Sequence, residues 1–429
     1  MRLLILTQYF PPELGAPQAR LSELAERLLD LGWDLEVLTA LPNYPTGNVF
    51  ANYDPKHPRL ERVGRIPTLR VPLSPSNTGF IRRLRCYFSF VFSARKHGPR
   101  LCRRPDLLFV ESPPLFIAYA ALYLSNHWRC PYVFNVSDLW PESAVRLGLV
   151  KPGWLTRLAE RLELTTYRQA AGVTGQSSDI IDSVRRRSPN IPTEVVTNGV
   201  ECSHFGPGKA DEAAQELLGR HPGPIFIYAG LLGLAQGLDQ ILDLAKSLPP
   251  ALPGRFVLVG EGPERAHLEH RIQSESIHRV RILPPQPRER VPALLAAAHV
   301  AVITLGMSIP GAVPSKIYEA MASALPILLI ADGEAARRVR DAGCGLTLPP
   351  GDLPAAQAAF CQLARNQGLR LRLGNSGRAA AESTYSREAT AQRLDRFLRS
   401  ALGATTRRRD KGIAPQMVMV HAPSLPNRP

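Results

Sequence analysis

Short apolar runs alternate with longer amphipathic stretches along most of the chain, the pattern of strands buried on both faces and separated by half-buried helices. The first run, 3–7, reads as a strand, and after the loop 8–16 a helix carries Leu21, Leu24, Ala25 and Leu28 at helical spacing. Further strands are predicted at 35–39, 107–110, 132–136, 172–174 and 194–197. A polar stretch marked by Gly and Pro spans 206–224, and a second series follows at 225–229, 256–259, 280–283, 300–304, 326–330 and 345–348. Two such series predict an α/β protein of two Rossmann-like, doubly wound parallel-sheet domains facing each other across a cleft. The expected divisions are a domain over 1–205, a linker over 206–224, a domain over 225–385, a closing helix over 386–402 and a disordered basic tail over 403–429.

Composition narrows the class. The chain has 429 residues, 45% of them hydrophobic, which suits a large packed core and excludes a disordered protein or a small disulfide scaffold. Its six cysteines form no CxxC or Cys/His cluster, so a zinc site or disulfide framework is not expected. The apolar run after Met1 stops too soon for a signal peptide, and the longest later runs are broken by Glu111, Pro113 and His299. A cytoplasmic protein is expected. With 52 Lys and Arg against 37 Asp and Glu the net charge is +15, which favours an anionic partner. No nucleic-acid reader motif accompanies that charge, so nucleic acid is not expected as the partner.

Candidate chemistry collects at the strand ends of the second series. Gly230, Gly233 and Gly237 form GxxGxxxG after the 225–229 strand, where backbone N–H groups can approach an anion. Gly260 and Gly262 make a second glycine turn one strand later. Either turn alone reads first as a plain strand-to-helix connection; two at successive strand ends make a phosphate-binding rim an equal reading. Pro314 and Ser315 suit the first turn of a helix, so that Lys316 and nearby amides could converge on a diphosphate while Glu319, one turn on, could hold ribose hydroxyls. The alternative is an amphipathic helix with a solvated Lys and Glu. No Asp-x-Asp, GxSxG or GxxxxGK[ST] occurs, which argues against a metal-bridged diphosphate, a serine hydrolase and a P-loop. No metal and no cofactor are expected.

These stretches, together with residues 6–13 (LTQYFPPE), 15–20 (GAPQAR), 42–47 (PNYPTG), 138–143 (DLWPES) and 198–200 (NGV), make the chain resemble the family-4 retaining glycosyltransferases of GT-B fold. Within that family it is similar to bacterial enzymes of capsule, colanic-acid and O-antigen assembly, acetyl-fucosamine transferases among them. The resemblance implies an acceptor-binding first domain and a nucleotide-sugar-binding second domain. It implies that Gly15 approaches the donor diphosphate, that Gly230, Gly233, Gln236 and Gly237 with Ser315 and Lys316 bind it, and that Glu319 holds the ribose. Gly260 and Gly262 join this donor rim, and Leu283, Pro284 and their neighbours to Gln286 line the base pocket. Asp138 either orients the reacting groups or caps a helix. The family's Arg and Lys positions are Leu231 and Gln236 here, and the first glutamate of its spaced pair is Gly311. Neutralisation of the diphosphate is therefore expected to fall on Lys316, backbone amides and Arg20.

Between Phe80 and Arg104 there are many basic residues and no acid. As a helix this segment places Arg82, Arg83 and Arg85 beside aromatic residues including Phe88, the arrangement of an interfacial helix on anionic lipid. A core-packed helix with a solvated basic face is the other reading. The first reading suits a polyprenyl-diphosphate-linked saccharide acceptor and peripheral attachment to the cytoplasmic face of the inner membrane. Two other functions share the same residues: a nucleotide-sugar 2-epimerase of the same fold, and a catalytically impaired scaffold of an assembly complex.

Overall fold

Leu3, Leu4, Ile5 and Leu6 are each at most 1% exposed, as a parallel strand covered on both faces must be. A computed structural model describes residues 1–410 apart from 14, 147, 149, 220 and 307–310. The strands of its first sheet are β1 (Arg2–Leu6), β2 (Asp34–Ala40), β3 (Arg59–Val63), β4 (Ile66–Val71), β5 (Leu107–Ser112), β6 (Tyr132–Val136), β7 (Gly172–Gly175) and β8 (Thr193–Val195). Their order is β3-β4-β2-β1-β5-β6-β7-β8, with β3 alone antiparallel to its neighbour. The second sheet comprises β9 (Ile225–Ala229), β10 (Arg255–Val259), β11 (Val280–Leu283), β12 (Val300–Thr304), β13 (Ile327–Ile330) and β14 (Gly345–Leu348), in the order β11-β10-β9-β12-β13-β14.

Every strand expected from the pattern is present, with ends shifted by a residue or two. The β3–β4 hairpin is an addition. Its outer strand, Arg-Leu-Glu-Arg-Val, is largely exposed and polar, so it shows none of the apolar density that marks a buried strand. Alternate residues of each sheet feed separate cores. Leu4 and Leu6 face the helices Phe80–Leu101, Ala118–Trp128 and Trp154–Gln169, whereas Leu3 and Ile5 face the helix Ala16–Asp30.

Two expected divisions are corrected. The 206–224 segment is not a free linker: it contains the helix Glu212–Leu218, whose Ala214 and Leu218 lie in the core of the second domain. The closing helix does not end at 402 but runs Arg387–Asp410, so residues 403–410 of the expected disordered tail are helical. The remainder, 411–429, lies outside the described residues. This helix packs Ala391, Leu394 and Leu398 against Leu21, Leu24 and Leu28, and Asp395 accepts a 2.7 Å hydrogen bond from the Trp33 indole. The chain therefore crosses between domains twice. The crossings are tied by Val200 N–H to the Tyr385 carbonyl at 2.8 Å and Arg387 N–H to the Val200 carbonyl at 3.0 Å. Among the described residues no helix is long and apolar enough to cross a membrane.

Candidate active site

In the second sheet β9 is flanked by β10 and β12, so the chain order reverses beside it and leaves a crevice at the strand carboxyl ends. Three loops close on one another there. Gly230 N–H donates to the Val259 carbonyl at 2.8 Å and Leu232 N–H to the Glu261 carbonyl at 2.9 Å, binding the glycine turn after β9 to the one after β10. A Cβ on Gly260 would collide with the Gly230 carbonyl oxygen, and one on Gly262 with that of Leu232. Glycine is required at both positions by this loop-to-loop packing. Gly237, at φ +60°, is pressed on Gly306 in the same way, with a Cβ there 2.6 Å from the Gly306 Cα. Gly306 was not singled out in the sequence, although its place just past a buried strand was a signal.

Lys316 stands on the facing side of this crevice, in the first turn of the helix Ser315–Ala322. The helix starts after Pro314 with no side chain capping it, which leaves first-turn amides for another acceptor. The ammonium lies 5.3 Å from the Tyr228 ring centroid and against Gly230. Burial holds the Lys316 pKa below the ordinary lysine value, partly offset by the nearby Glu319 carboxylate. Among the described residues neither the Lys316 ammonium nor the Glu319 carboxylate has a hydrogen-bond or ion-pair partner, although the Glu319 carbonyl accepts the Ser323 N–H at 3.0 Å. Ser315 is exposed beside them. Gln236 turns its side-chain oxygen over Gly233, where it is buried and unpartnered, while its backbone carbonyl accepts the Thr304 hydroxyl at 2.6 Å. Leu283 ends the edge strand with its side chain in the core and its carbonyl accepting Gly260 N–H at 3.3 Å; Pro284 is exposed. Any base contact at Leu283 must therefore come from the backbone.

The first domain offers a corresponding crevice between β1 and β5. Gly15 introduces the helix Ala16–Asp30, and a Cβ on it would strike the buried, unpartnered Gln18 amide oxygen. Arg20, expected to be free for a diphosphate, is instead 4% exposed and ion-paired with Glu111 at the end of β5. Glu111 also accepts from Asn135 Nδ2 at 2.9 Å and Ser137 Oγ at 2.7 Å, and Gln176 Nε2 donates to that hydroxyl at 2.5 Å. Glu111 was read only as an interruption of an apolar run; a lone acid at the end of such a run was the signal for this network. Asp138 accepts the hydroxyl of Ser143 from the following helix, a side-chain contact local to its own loop. Glu13 draws together two of the recognised stretches: its carboxylate accepts N–H bonds from Phe10, Asn43 and Tyr44 at 2.8–3.1 Å. Burial raises its pKa despite those bonds.

Arg82, Arg83 and Arg85 are exposed on the helix Phe80–Leu101, as expected. Phe88 is not: it is half-buried, its ring 4.9 Å from that of Phe116 and 6.1 Å from that of Tyr119. The core stripe of this helix is Cys86, Phe90 and Ala94, which leaves Ile81 and Phe92 outside.

Comparison with known proteins places this architecture. Residues 15–199 match the glycosyl transferase 4-like domain and residues 192–380 match the glycosyl transferases group 1 family. The chain belongs to the GT-B glycosyltransferases of family-4 type. It is 26% identical over 346 residues to the colanic acid biosynthesis glycosyl transferase WcaI of Escherichia coli, covering 75% of this chain and 81% of that protein. Among solved structures it superposes on a sucrose-phosphate synthase of Thermosynechococcus elongatus with a TM-score of 0.73 at 18% identity, covering 94% of this chain and 99% of the other. The Anabaena protein HepE, solved with UDP, gives a TM-score of 0.68 at 18% identity, covering 93% and 100%.

The departures from the family-4 pattern have local physical settings. Leu231 stands 57% exposed on the glycine turn. Gly311 sits at φ +76°, where a Cβ would come 2.6 Å from Ser177 Oγ and 2.7 Å from Ile180 of the other domain. At this flank the domains of the glycosyltransferase touch. Glu334 accepts the Ser178 N–H at 3.2 Å, and Arg337 pairs with Asp179. Gly230, Gly233, Gln236, Gly237 and Lys316 thus form one cluster. Gly15, Arg20 and Asp138 lie on the facing domain and, among the described residues, make no polar contact with it.

Proposed function

We propose that this glycosyltransferase moves a sugar from a UDP-sugar, with retention of anomeric configuration, to a lipid-linked saccharide acceptor during assembly of a bacterial surface polysaccharide. The observation that carries the reading is the Lys316 ammonium: half-buried, in no ion pair among the described residues, its burial only partly offset by Glu319, and set against a bare glycine turn. An uncompensated buried cation is costly unless an anion arrives to pair with it. In this reading the donor diphosphate is that anion, held by Lys316, the first-turn amides of helix Ser315–Ala322 and the turn from Gly230 to Gly237. Glu319 holds the ribose, and backbone groups around Leu283 and Pro284 meet the base. As the bond to the sugar breaks, negative charge grows on the departing diphosphate, where a fixed cation and amides stabilise it without rearranging. The acceptor hydroxyl attacks from the same face, in the crevice bordered by Asp138, Ser137 and Gln176. Support for the UDP donor comes from HepE, solved with UDP and with UDP-glucose, and support for polysaccharide assembly from the colanic acid relative. The exposed Arg82, Arg83 and Arg85 would hold the chain to the anionic cytoplasmic face of the inner membrane, where a polyprenyl-diphosphate acceptor resides.

The test is titration with UDP, GDP and UDP-sugars without added metal, for the wild type and Lys316→Ala. Selective UDP binding that disappears in the variant is the expected result. No nucleotide binding by the wild type overturns the reading and leaves a scaffold role for the same fold.

A further inference from the structure

The helices Phe80–Leu101, Ala118–Trp128 and Trp154–Gln169 form one layer on the first sheet, the middle helix packing against both outer ones. Each follows the carboxyl end of a parallel strand and runs back to the next, so all three begin at the cleft end of the domain. Their inward residues, such as Phe90, Leu124 and Leu162, share a single core. What they turn outward is unusual. Trp154 is 73% exposed, Leu155 and Leu158 are each 49% exposed, and on the first helix Ile81 is 81% and Phe92 64% exposed.

The Trp154 cluster is a built feature of an ordered helix start. Thr156, itself buried, accepts the Gly153 N–H at 3.0 Å and donates back to the Gly153 carbonyl at 2.8 Å, fixing the first turn. Trp154 and Leu158 lie one turn apart on the same side, with Leu155 beside them. The surrounding charge is predominantly positive. Arg82, Arg83, Arg85 and Lys96 on the first helix and Arg157 and Arg161 on the third are exposed, against Glu160 as the single exposed acid of the three helices. Apolar side chains set in a cationic field match an anionic bilayer, which offers acyl chains and negative headgroups together. Tryptophan is suited to that boundary because its ring is apolar and its N–H polar.

We propose that Trp154, Leu155 and Leu158 insert into the headgroup region of an anionic bilayer and form a second anchor beside the basic helix Phe80–Leu101. The inference rests on the membrane-attached reading of the previous subsection and adds the surface that orients the protein. One anchor only tethers. Two anchors on helices separated by a third, roughly 20 Å apart at ordinary interaxial spacings, lay the helical layer along the membrane and bring the cleft end of the domain to the lipid surface.

The experiment uses the full chain and vesicles of phosphatidylglycerol with phosphatidylcholine at low salt, read by co-sedimentation and by quenching of tryptophan fluorescence with acyl-brominated lipid. Trp33 and Trp128 are buried and Trp140 half-buried, so Trp154 dominates the quenching. The proposal expects quenching in the wild type and at least tenfold weaker vesicle binding by Leu155→Gln/Leu158→Gln, with thermal midpoint and UDP affinity unchanged. Vesicle binding without quenching, and unaffected by the double substitution, overturns this anchor while leaving the basic-helix attachment standing. No vesicle binding by the wild type overturns membrane attachment altogether, with UDP binding still deciding the donor site. Self-association in sedimentation that the double variant abolishes would assign the patch to a second copy of the chain and overturn the proposal.

Discussion

A methyl group on Gly230 would stand 2.6 Å from Lys316 Nζ and 2.5 Å from its Cε. The ammonium occupies the space that any other residue at 230 would fill. A strand-end glycine and a lysine far along the sequence therefore define one position, and the φ of +145° at Gly230 adds a backbone reason for glycine.

Gly230→Ala should expel the lysine end from that position and strain the turn by about 1–3 kcal/mol. UDP affinity is expected to fall about tenfold or more, read by calorimetry, while circular dichroism shows a folded chain. Unchanged affinity would mean that Lys316 need not sit against the turn to serve the nucleotide.

Lys316→Met removes a half-buried cation and keeps most of its volume. The loss in UDP binding should be about 1.5–3 kcal/mol, roughly 10- to 100-fold, without loss of thermal stability in the free chain. The pH dependence follows from the lowered pKa. Between that folded value and the ordinary 10.5 the unfolded chain binds more protons at this site, so its contribution makes stability rise with pH across the window. UDP affinity should move the opposite way, falling as the ammonium loses its proton. Lys316→Met should flatten both trends, measured by thermal melts and titrations across alkaline pH.

Glu111→Gln leaves the buried Arg20 guanidinium without its counter-charge, and a loss of about 3–5 kcal/mol is expected in urea unfolding. Arg20→Met in the same chain should recover part of it. If Glu111→Gln were neutral, the pair would not carry the crevice of the first domain.

Gly311→Glu returns the acid that the family pattern has at this position, yet it is expected to lower activity. Its Cβ would meet Ser177 and Ile180 and adopt a φ of +76°. Small-angle scattering should show a wider domain separation, and donor turnover should fall. A gain in turnover would show that the contact at Ser177 gives way.

The cluster of Lys316 with the glycine turn was legible in part because its signals are local. Glycines after an apolar run, and a Pro-Ser-Lys start to a helix, can be read within a few residues. The errors share one cause: they concern what a residue meets from a distant part of the chain. Arg20 looked available until Glu111 arrived from another strand. Gly260 and Gly262 read as a turn of their own until Gly230 and Leu232 are seen packed against them. The periodicity of the Phe80–Leu101 helix gave the basic face correctly, yet it could not tell that Phe116 and Tyr119 cover Phe88 while Phe92 and Ile81 stay outside.

The sequence by itself determined the two α/β halves, the positions of their principal strands along the chain and the lysine and glycines of the candidate cluster. Hydrophobic periodicity and turn chemistry act over short spans and survive without knowledge of neighbours. The tertiary structure alone decided which charges are spent. Arg20 is neutralised by Glu111, Arg337 spans the domains to Asp179, and Lys316 is left over. Desolvation makes that distinction, because the same basic side chain is a structural tie when an acid pairs with it in its burial and a cation open to an arriving anion when none does.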